Sequence, residues 1–593
     1  MKLRIIRLVC GAVLLVGGVA GGIVPLIIAA YIIFGYDVIL TSLKNISKGR
    51  IFDENFLMTI ATIGAFLIGE YLEGAAVMLF YQVGETLSEL AVSKSRKSIS
   101  ALMDIRPDTA VVQRDGEFAE VSPETVEIGE IVLVKAGERI PVDGTVTEGE
   151  AYLDCSALTG ESAPVHAAAG KAVQSGSINS DGTLYIRTDK KYADSTASRI
   201  LRLVESTEKS KSERFITRFA GVYTPIVVFL AAAMAVIMPF VTGGTFAVWG
   251  YRALIFLVVS CPCALVVSIP LTFFAGIGSA SRSGILIKGS DVIERLANVR
   301  TVIFDKTGTL THGVFDVVNI NGGDDVLRAA AYAEYYSNHP VSTAVKKAYG
   351  ADVDISAISG YTELAGMGIR AIVSGNEVLC GNDKLMDKYG IEYTKTDGTG
   401  TVIHVAEDGS YLGSIQIADV VKKNSPSAVA ALDALGIDTV MLTGDNRTTA
   451  ERTAMQLGIG TVHSQLMPDD KVRICKKISS QSSAAFVGDG INDAPVLAGA
   501  DVGFAMGALG SDAAIEAADA VIMNDDPQKT VDAIKIARRT NAIARQNIVI
   551  SIAIKLGVML LGAFDIATMW TAVFADVGVM LLAVCNALRA LRR

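Results

Sequence analysis

The sequence has 593 residues, which is too long for a single hydrophobic core, and 51% of them are hydrophobic. Its mean hydropathy of +0.42 indicates a membrane protein, while the 19% of charged residues indicate that large parts of the chain face water. The net charge of -9 argues against a nucleic-acid-binding protein, because such proteins present basic surfaces to the phosphate backbone.

Apolar stretches long enough to span a membrane occur in pairs along the chain. Residues 8–36 contain no Lys, Arg, Asp or Glu, and this length exceeds the roughly 20 residues that one span needs, so we expect two helices there. The later pairs are 52–70 with 71–92, 215–241 with 246–281, and 546–563 with 566–588. Basic residues follow each pair, and the positive-inside rule places all of them in the cytoplasm. The sequence therefore predicts about eight spans.

Glu70 and Glu73 lie at the outward turn of the second pair of spans. Two solvated acids at the membrane surface are one interpretation. The other is a ligand that accepts a cation as it leaves the membrane, and Glu73 is the better candidate for it.

The first long cytoplasmic segment, residues 96–210, alternates apolar and polar residues between glycine turns. This pattern is typical of half-buried strands. The segment contains the polar stretch Thr159-Gly160-Glu161-Ser162, whose residue types are common in surface loops.

The sixth span contains Cys261-Pro262-Cys263. On an intact helix the two cysteines would point about 200° away from each other. Pro262 interrupts the helix, and irregular backbone at membrane depth is tolerated only where it lines a cavity. Both thiolates can then face one cavity, where they would select Zn²⁺, Cu⁺ or a similar soft ion. The alternative is simple packing of two buried cysteines.

Residues 301–304 form a β-branched and apolar run that predicts a buried parallel strand ending at Asp305. Ligands gather at the carboxyl ends of strands in doubly wound sheets, so we expect Asp305 to be exposed there. Gly308 lets backbone N–H groups approach an anion. A carboxylate in this place can attack ATP and form an aspartyl-phosphate, although any single Asp after a strand can also be a plain solvated residue.

Two charged residues lie within the last pair of spans, Lys555 and Asp576. Such residues are costly in lipid and mark ion pathways. Two thiolates and one carboxylate carry three negative charges against a divalent cation, so Lys555 balances the surplus, and we expect it to pair with Asp576 when no ion is bound. Tetrahedral sulfur and oxygen ligands suit Zn²⁺, Cd²⁺ or Pb²⁺.

Several motifs follow one another in an order that resembles the P-type ATPases over essentially the whole chain. They are Thr159-Gly160-Glu161-Ser162, Asp305-Lys306-Thr307-Gly308-Thr309, Ser337-Asn338-His339-Pro340, Gly366-Met367-Gly368, Thr443-Gly444-Asp445, Lys471 in "LMPDDK", and Asp489 to Asp493 in "DGIND". The Cys-Pro-Cys, Lys555 and Asp576-x-Gly578 pattern resembles the zinc/cadmium/lead-exporting branch. Copper pumps of the family share Cys-Pro-Cys but carry Asn, Tyr, Met and Ser in the last helices.

The resemblance implies a role for each matching residue. Asp305 is phosphorylated, Thr443 contacts the phosphoryl group and Lys471 is a cation beside it. Asp305, Asp489 and the Thr307 carbonyl hold Mg²⁺, and Asn492 and Asp493 orient the phosphate surroundings. Glu161, within Thr159-Gly160-Glu161, directs hydrolysis of the aspartyl-phosphate. The adenine of ATP is bound by Glu334, His339, Pro340, Gly366 and Gly368.

The implied fold is a polytopic α-helical membrane protein with three cytosolic domains: a β-rich actuator domain, an α/β haloacid-dehalogenase-like phosphorylation domain and an α+β nucleotide-binding domain. The expected boundaries are 1–51, 52–95, 214–283 and 541–593 for the transmembrane hairpins, 96–213 for the actuator, 284–314 and 418–540 for the phosphorylation domain, and 315–417 for the nucleotide-binding domain.

The predicted function is ATP-driven export of Zn²⁺, Cd²⁺ or Pb²⁺ from the cytoplasm. We expect a monomer in a bacterial inner membrane. We also expect the protein to lack the N-terminal metal-binding domain of many relatives, so that the ion loads directly or comes from a cytosolic carrier. Two alternatives stay open: a Cu⁺-exporting pump of the same family, and a membrane-anchored phosphatase or metal sensor without transport.

Overall fold

The computed structural model describes most of the chain. The described residues are 2–48, 54–102, 109–114, 116–155, 164–198, 211–260, 263–337, 339–364, 366–395, 400–489, 493–506, 516–564 and 566–591. The chain divides into two compact units, Met1–Ala297 with Ala533–Arg593, and Asn298–Asp532.

Ten of the described helices belong wholly or mainly to the first unit. They are α1 Lys2–Gly21, α2 Val24–Ser47, α3 Glu54–Leu67, α4 Tyr71–Leu102, α5 Lys211–Thr242, α6 Phe246–Val259, α7 Cys263–Ser281, α8 Ser290–Ala297, α16 Gln528–Ala563 and α17 Met569–Ala587. Six stretches are long and apolar enough to cross a membrane among the described residues: Arg4–Gly21, Val24–Ser47, Val222–Thr242, Phe246–Ser281 (counted across the undescribed residues 261 and 262), Gln528–Ala563 and Met569–Leu591. The stretch 55–67 is apolar but shorter. The number of eight spans therefore stays a prediction.

Small residues let these helices approach one another closely. A Cβ atom at Gly64 of α3 would lie 2.5 Å from Leu254 Cδ2 of α6, and one at Gly276 of α7 would lie 2.5 Å from Thr540 Oγ1 of α16. The absence of a side chain at both positions thus lets the helices pack closely, as is common in a membrane. Helix α17 packs against α4, α6 and α7, so the last apolar helix contacts both the helix that contains Glu73 and the helix that begins at Cys263.

A β-rich domain lies between α4 and α5. Its strands are β1 Ala110–Arg114, β2 Glu117–Val121, β3 Ile131–Lys135, β4 Gly144–Glu148, β5 Glu150–Asp154, β6 Val165–Ala168, β7 Ala172–Val173, β8 Ile178–Asn179 and β9 Thr183–Thr188. They form a sheet of order β2-β1-β3-β9-β4-β7 and a smaller sheet of order β6-β5-β8. Burial alternates along β9, where Leu184 and Ile186 are fully buried, so the predicted half-buried strands are confirmed.

The second unit is built around a parallel sheet. Its strands are β11 Thr301–Asp305, β18 Asp438–Leu442, β19 Thr461–His463, β20 Ala484–Gly488, β21 Val502–Met506 and β22 Ala520–Ile522, in the order β22-β21-β20-β11-β18-β19. Helices α12 Ser425–Ala434, α13 Arg447–Leu457, α14 Pro468–Gln481 and α15 Ala494–Leu497 connect them. All five residues of β11 are buried, which confirms the strand predicted before Asp305.

An antiparallel sheet is inserted between β11 and β18. Its strands are β12 Thr311–Asn321, β13 Ile358–Leu364, β14 Gly368–Val373, β15 Asn376–Gly381, β16 Thr401–Glu407 and β17 Ser410–Val421, in the order β12-β17-β16-β15-β14-β13. Helices α9 Asp324–Ala333, α10 Pro340–Tyr349 and α11 Asp383–Tyr389 belong to the same insertion. A short strand, β10 Ile285–Ile287, and single helical turns at Pro123–Thr125, Tyr192–Asp194, Ile355–Ala357 and Leu588–Leu591 complete the described elements.

Candidate active site and intramembrane charge pair

The carboxyl ends of three neighbouring parallel strands meet at one edge of the sheet. Strand β11 ends at Asp305, β18 is followed by Thr443, and β20 is followed by Asp489. Because β11 pairs in parallel with both β18 and β20, these three side chains are brought to the same edge. The fold thus collects residues that are up to 184 positions apart in the sequence.

Asp305 is buried rather than exposed, so the expectation from its place at a strand end was wrong. Only 5% of the residue is exposed. The Lys471 ammonium, on α14, lies 2.5 Å from Asp305 Oδ1 and 3.2 Å from Asp493 Oδ1. These two side chains cover the carboxyl group, and a residue such as Thr307, two positions later, is exposed instead.

The same surroundings shift the protonation of the three groups. Burial raises the pKa of the Asp305 carboxyl to about 7, the charge of Asp493 adds to the rise and Lys471 opposes it. Burial also raises the pKa of Asp493. Burial alone would lower the pKa of Lys471, but the charges of Asp305 and Asp493 outweigh it and hold that pKa above its ordinary value. Lys471 therefore stays a cation beside the carboxylates.

The loop after β11 depends on a glycine. Gly308 has φ +73°, and an added Cβ atom there would lie 3.1 Å from Asp489 Oδ2. An L-residue would be strained in this backbone conformation and would crowd the carboxylate. Gly308 thus lets the loop 306–310 approach Asp489 closely.

Lys306 and Asp445, the latter from the predicted Thr443-Gly444-Asp445 motif, form an ion pair of 2.5 Å. Lys306 is buried, and its ammonium also lies 3.9 Å from Asp419 Oδ2. The Thr443 hydroxyl accepts a hydrogen bond of 3.1 Å from the Asp445 backbone N–H. The two motifs are therefore joined directly.

The sequence did not single out Asp419 and Lys422, which form hydrogen bonds with the loop after β11 and with the residues that follow it. Asp419 accepts hydrogen bonds from the Thr311 hydroxyl, at 2.5 Å, and the Gly313 N–H, at 2.9 Å. Lys422 is buried and donates 2.8 Å to the Gly308 carbonyl. The only local signal was a pair of charges at the end of an apolar strand, which is too common to identify a site.

The donor set fits Mg²⁺, which binds hard oxygen ligands and keeps several waters. Burial and, in addition, the charges of Asp493 and Asp489 raise the pKa of Asp305. Lys471 supplies a single positive charge against these three carboxyl groups. Such surplus negative charge on oxygen ligands is what a divalent cation would neutralise.

A cavity of about 420 Å³ in the inserted domain contains most of the residues expected to bind adenine. Glu334, His339, Gly366 and Gly368 line it. Gly368 pairs with Gly381, and a Cβ atom at Gly368 would lie 2.3 Å from the Cys380 carbonyl, so only glycine permits this close strand approach. Pro340 begins α10.

A second cavity, of about 350 Å³, lies next to the phosphorylation loop. Lys306, Thr307, Asp419 and Asp445 line one part of it and Thr401 another. Thr401 also lines the adenine cavity, on the strand β16. The two cavities therefore have Thr401 as a common lining residue.

In the membrane unit, Lys555 of α16 forms the expected ion pair with Asp576 of α17. Both side chains are at most 10% exposed. The Lys555 ammonium also donates 3.3 Å to the carbonyl of Val259, the last residue of α6. The pair is thus held at the end of the helix that precedes Cys261.

Glu73 lies in the first turn of α4, and its Oε2 atom is buried without a hydrogen-bond partner among the described residues. Its carboxyl group also has the Tyr251 hydroxyl as a hydrogen-bond partner. A buried acceptor that lacks one partner is rare in native proteins and commonly marks a water or an ion.

Several predicted site residues lie outside the described residues. They are Thr159, Gly160, Glu161, Cys261, Pro262 and Asn492. Cys263 begins α7, and the helix break expected at Pro262 lies outside the described residues.

Comparisons with known proteins agree with the resemblance of the sequence motifs to P-type ATPases. The model of haloacid dehalogenase-like hydrolases matches residues 299–501, and that of the P-type ATPase actuator domain matches residues 104–205. A cadmium, zinc and cobalt-transporting ATPase of Bacillus subtilis (strain 168) is 53% identical over 96% of this chain and 83% of its own length. A zinc-transporting ATPase of Synechocystis sp. is 48% identical over 95% of this chain and 80% of its own length.

Solved structures extend the match to the whole fold. A crystal structure of a zinc-transporting PIB-type ATPase has 34% sequence identity and a TM-score of 0.63, and it covers 99% of this chain and 100% of its own. A second crystal structure of a zinc-transporting PIB-type ATPase, in a different state, has a TM-score of 0.57 at 35% identity, covering 99% of both chains. The chain is therefore a multi-pass membrane ATPase of the P-type family, in its heavy-metal-transporting branch.

Proposed function

We propose that this ATPase exports Zn²⁺ and Cd²⁺ from the cytoplasm, with Asp305 as the phosphorylated residue. The observation that carries the proposal is the buried Lys555–Asp576 pair, held at the end of α6, the helix that precedes the Cys-Pro-Cys segment in the sequence. A pump for a monovalent ion has no need of a carboxylate whose charge is balanced by its own ammonium. When a soft divalent ion is bound by two thiolates and Asp576, the ligands carry three negative charges, and the ammonium of Lys555 offsets the surplus.

The phosphorylation step follows from the sheet edge. A carboxylate oxygen of Asp305 attacks the γ-phosphorus of ATP, ADP leaves, and an acyl phosphate forms. Lys471 holds a positive charge beside Oδ1 of Asp305. Mg²⁺, when bound, neutralises the phosphate oxygens during the transfer. We assign its protein ligands to Asp305, Asp489 and the Thr307 carbonyl, with Asn492 and Asp493 orienting the surroundings.

Hydrolysis of the aspartyl-phosphate depends on a segment outside the described residues. We assign the positioning of the hydrolytic water to Glu161, in Thr159-Gly160-Glu161, because a carboxylate can act as a general base toward that water. Asp305 then regains its free carboxylate and phosphate leaves. Glu73, with its unpartnered Oε2, is proposed to accept the cation on the outward side.

ATP is needed because export works against the membrane potential. Moving a double positive charge outward costs about 4.6 kcal/mol at 100 mV, negative inside. We place the protein in a bacterial inner membrane as a monomer that receives its ion directly or from a cytosolic carrier. Pb²⁺ belongs to the same ligand class and remains a prediction from the sequence.

The test is an ATPase and transport assay on the full chain reconstituted in vesicles. We expect Zn²⁺ and Cd²⁺ to stimulate ATP hydrolysis and to move across the membrane, with Cu⁺ giving no stimulation and Asp305→Asn as the blank. The double variant Cys261→Ala/Cys263→Ala should lose the stimulation. Stimulation by Cu⁺ alone would favour the copper-pump alternative, and metal-stimulated hydrolysis that survives loss of both thiols would refute the proposed ion site.

A further inference from the structure

The carboxyl group of Glu334 is held by two buried hydrogen-bond donors. Glu334 follows α9 and is itself 5% exposed. The Ser342 hydroxyl, in the first turns of α10, donates to Glu334 Oε2, and the Cys380 thiol, on β15, donates 3.4 Å to Oε1. Both donors are fully buried. Each oxygen of the carboxyl group therefore has a donor on its protein side.

The strand that contains Cys380 cannot easily shift. Cys380 is paired with Ile369, and its neighbour Gly381 with Gly368. A Cβ atom at Gly381 would lie 2.3 Å from the Met367 carbonyl, so the two strands are as close as backbones can come. The close approach fixes where the thiol stands, and the thiol packs in the apolar core below α9.

The cavity of about 420 Å³ is lined by Glu334, Ser342 and Cys380 together. An ionised carboxylate only accepts hydrogen bonds, whereas a protonated one also donates. The exocyclic group at position 6 of adenine is a donor amine, and in guanine it is an acceptor oxygen. An ionised Glu334 can therefore accept a hydrogen bond from this adenine amine, whereas only a protonated Glu334 can donate one to this guanine oxygen.

We propose that Cys380 and Ser342 are positioning residues that keep Glu334 ionised, and that they thereby make the site select ATP over GTP. This inference rests on the proposed function, since it assigns the cavity to the base of the nucleotide. Neither side chain needs to contact the nucleotide itself. Each acts through the carboxylate.

Electrostatics supports this role for the two donors. Burial raises the pKa of Glu334, while the hydrogen bonds from Ser342 and Cys380 lower it. Burial also raises the pKa of the Cys380 thiol well above its ordinary value, so the thiol keeps its proton and stays a donor. Removing either donor must raise the pKa of Glu334 further and protonate it at a higher pH.

Other charged groups face Glu334 and are common to all variants in the test. His339 and Lys346, at the start and within α10, oppose the rise in the pKa of Glu334 through their charges. The Lys346 ammonium donates hydrogen bonds to the carbonyls of Tyr335 and Ser337, at 3.1 and 3.0 Å. On β13, Tyr361 interacts with the charge of Glu334, and Glu363 lines the same cavity.

The experiment measures nucleotide binding and turnover of the full chain between pH 5.5 and 8. Cys380→Val replaces the thiol with an apolar branched side chain and so removes one donor. Its KM for ATP should rise about threefold to tenfold near pH 7, the range that corresponds to one hydrogen bond, with kcat unchanged. Its ATP affinity should decline on acidification at a higher pH than in the wild type, and its preference for ATP over GTP should shrink.

Three further variants separate positioning from structure. Cys380→Ser restores a donor and should recover most of the wild-type pH profile. Ser342→Ala should reproduce the shift seen with Cys380→Val. Val378→Ala, on the same face of β15 and equally buried, loosens the core without removing a donor to Glu334, so its pH profile should stay that of the wild type.

The outcomes are distinct from those that test the proposed function. If folded Cys380→Val and Ser342→Ala both keep the wild-type pH profile and ATP/GTP ratio, the inference is overturned. The same holds if Val378→Ala shifts the profile equally. Displacement of a fluorescent nucleotide measures binding without turnover, so absence of zinc-stimulated hydrolysis in the wild type would count against the proposed function and leave this measurement valid.

Discussion

The Lys555 ammonium is hydrogen-bonded to the Asp576 carboxylate between two apolar helices, α16 and α17, and the Val259 carbonyl accepts a second hydrogen bond from it. Both charges are at least nine-tenths buried. Loss of one partner would leave an uncompensated charge in a low-dielectric surrounding, whereas loss of both would not. The two charges are therefore a coupled unit.

This coupling predicts a non-additive loss of stability. Lys555→Met alone should lower the free energy of unfolding by about 3–5 kcal/mol, because Asp576 is left unpaired. The double variant Lys555→Met/Asp576→Leu should recover most of that loss. Thermal unfolding of the detergent-solubilised chain measures it, and simple addition of the two single effects would contradict the coupling.

The raised pKa of Asp305 predicts a pH-dependent effect of Asp305→Asn on stability. The pKa of Asp305 is about 7 in the folded chain against 3.8 ordinarily, so the stability linked to its protonation is present at low pH and is lost as the pH rises through 7. Asparagine cannot ionise. The variant should therefore be more stable than the wild type by about 2–4 kcal/mol at pH 8, and the difference should vanish near pH 4.

Denaturation of the two proteins across this pH range checks the sign. Asp433 is an exposed carboxylate on α12, so Asp433→Asn is the matched control and should change the free energy of unfolding equally at pH 4 and pH 8. A wild type that is the more stable protein at pH 8 would show that Lys471 overcomes the burial of Asp305.

Gly308→Ala should slow phosphorylation. The alanine would be held at φ +73°, and its Cβ atom would stand 3.1 Å from Asp489 Oδ2. A strain of about 1–2 kcal/mol, if expressed in the transition state, lowers the rate of acyl-phosphate formation about tenfold. Gly436 has φ +68° with nothing near an added Cβ, so Gly436→Ala carries the same strain away from the site and should phosphorylate normally.

Lys422→Met should also impair phosphorylation, because Lys422 holds the Gly308 carbonyl at 2.8 Å and pairs with Asp525 at 2.6 Å. A charge-assisted hydrogen bond contributes about 1.5–3 kcal/mol, so the loop should lose its position and the phosphoenzyme level should fall at least tenfold. The neighbouring Lys423 is exposed, and Lys423→Met is the control. Equal effects of both substitutions would indicate that only net charge matters.

Glu73→Gln tests the proposed outward ligand. A neutral amide should weaken the acceptance of the cation from the membrane site, so turnover at saturating Zn²⁺ should fall several-fold while the half-saturating Zn²⁺ concentration for phosphorylation stays the same. Glu70 is exposed, and Glu70→Gln should match the wild type. Unchanged turnover in Glu73→Gln would make Glu73 a residue without a role in release.

Local patterns were enough for the chemistry of single segments. The apolar run before Asp305 predicted a buried strand, and the charges of Lys555 and Asp576 within apolar stretches predicted an ion pair. Both features follow from short-range rules, since a β-branched run favours a buried strand and a charge in a membrane must find a partner. The burial of Asp305 did not follow, because the side chains that cover it come from elsewhere in the chain.

The sequence by itself determined that the chain is a membrane ATPase of this family and predicted which residues carry the reaction, because motif order, residue type and spacing are enough for that much. Only the tertiary structure decided how these residues are held: Lys306 against Asp445, 139 positions away, Lys422 behind Gly308, and Ser342 with Cys380 around Glu334. These pairings depend on the order of parallel strands and on the register of antiparallel ones. Such long-range register arises from the packing of the whole domain and leaves no local signature in the sequence.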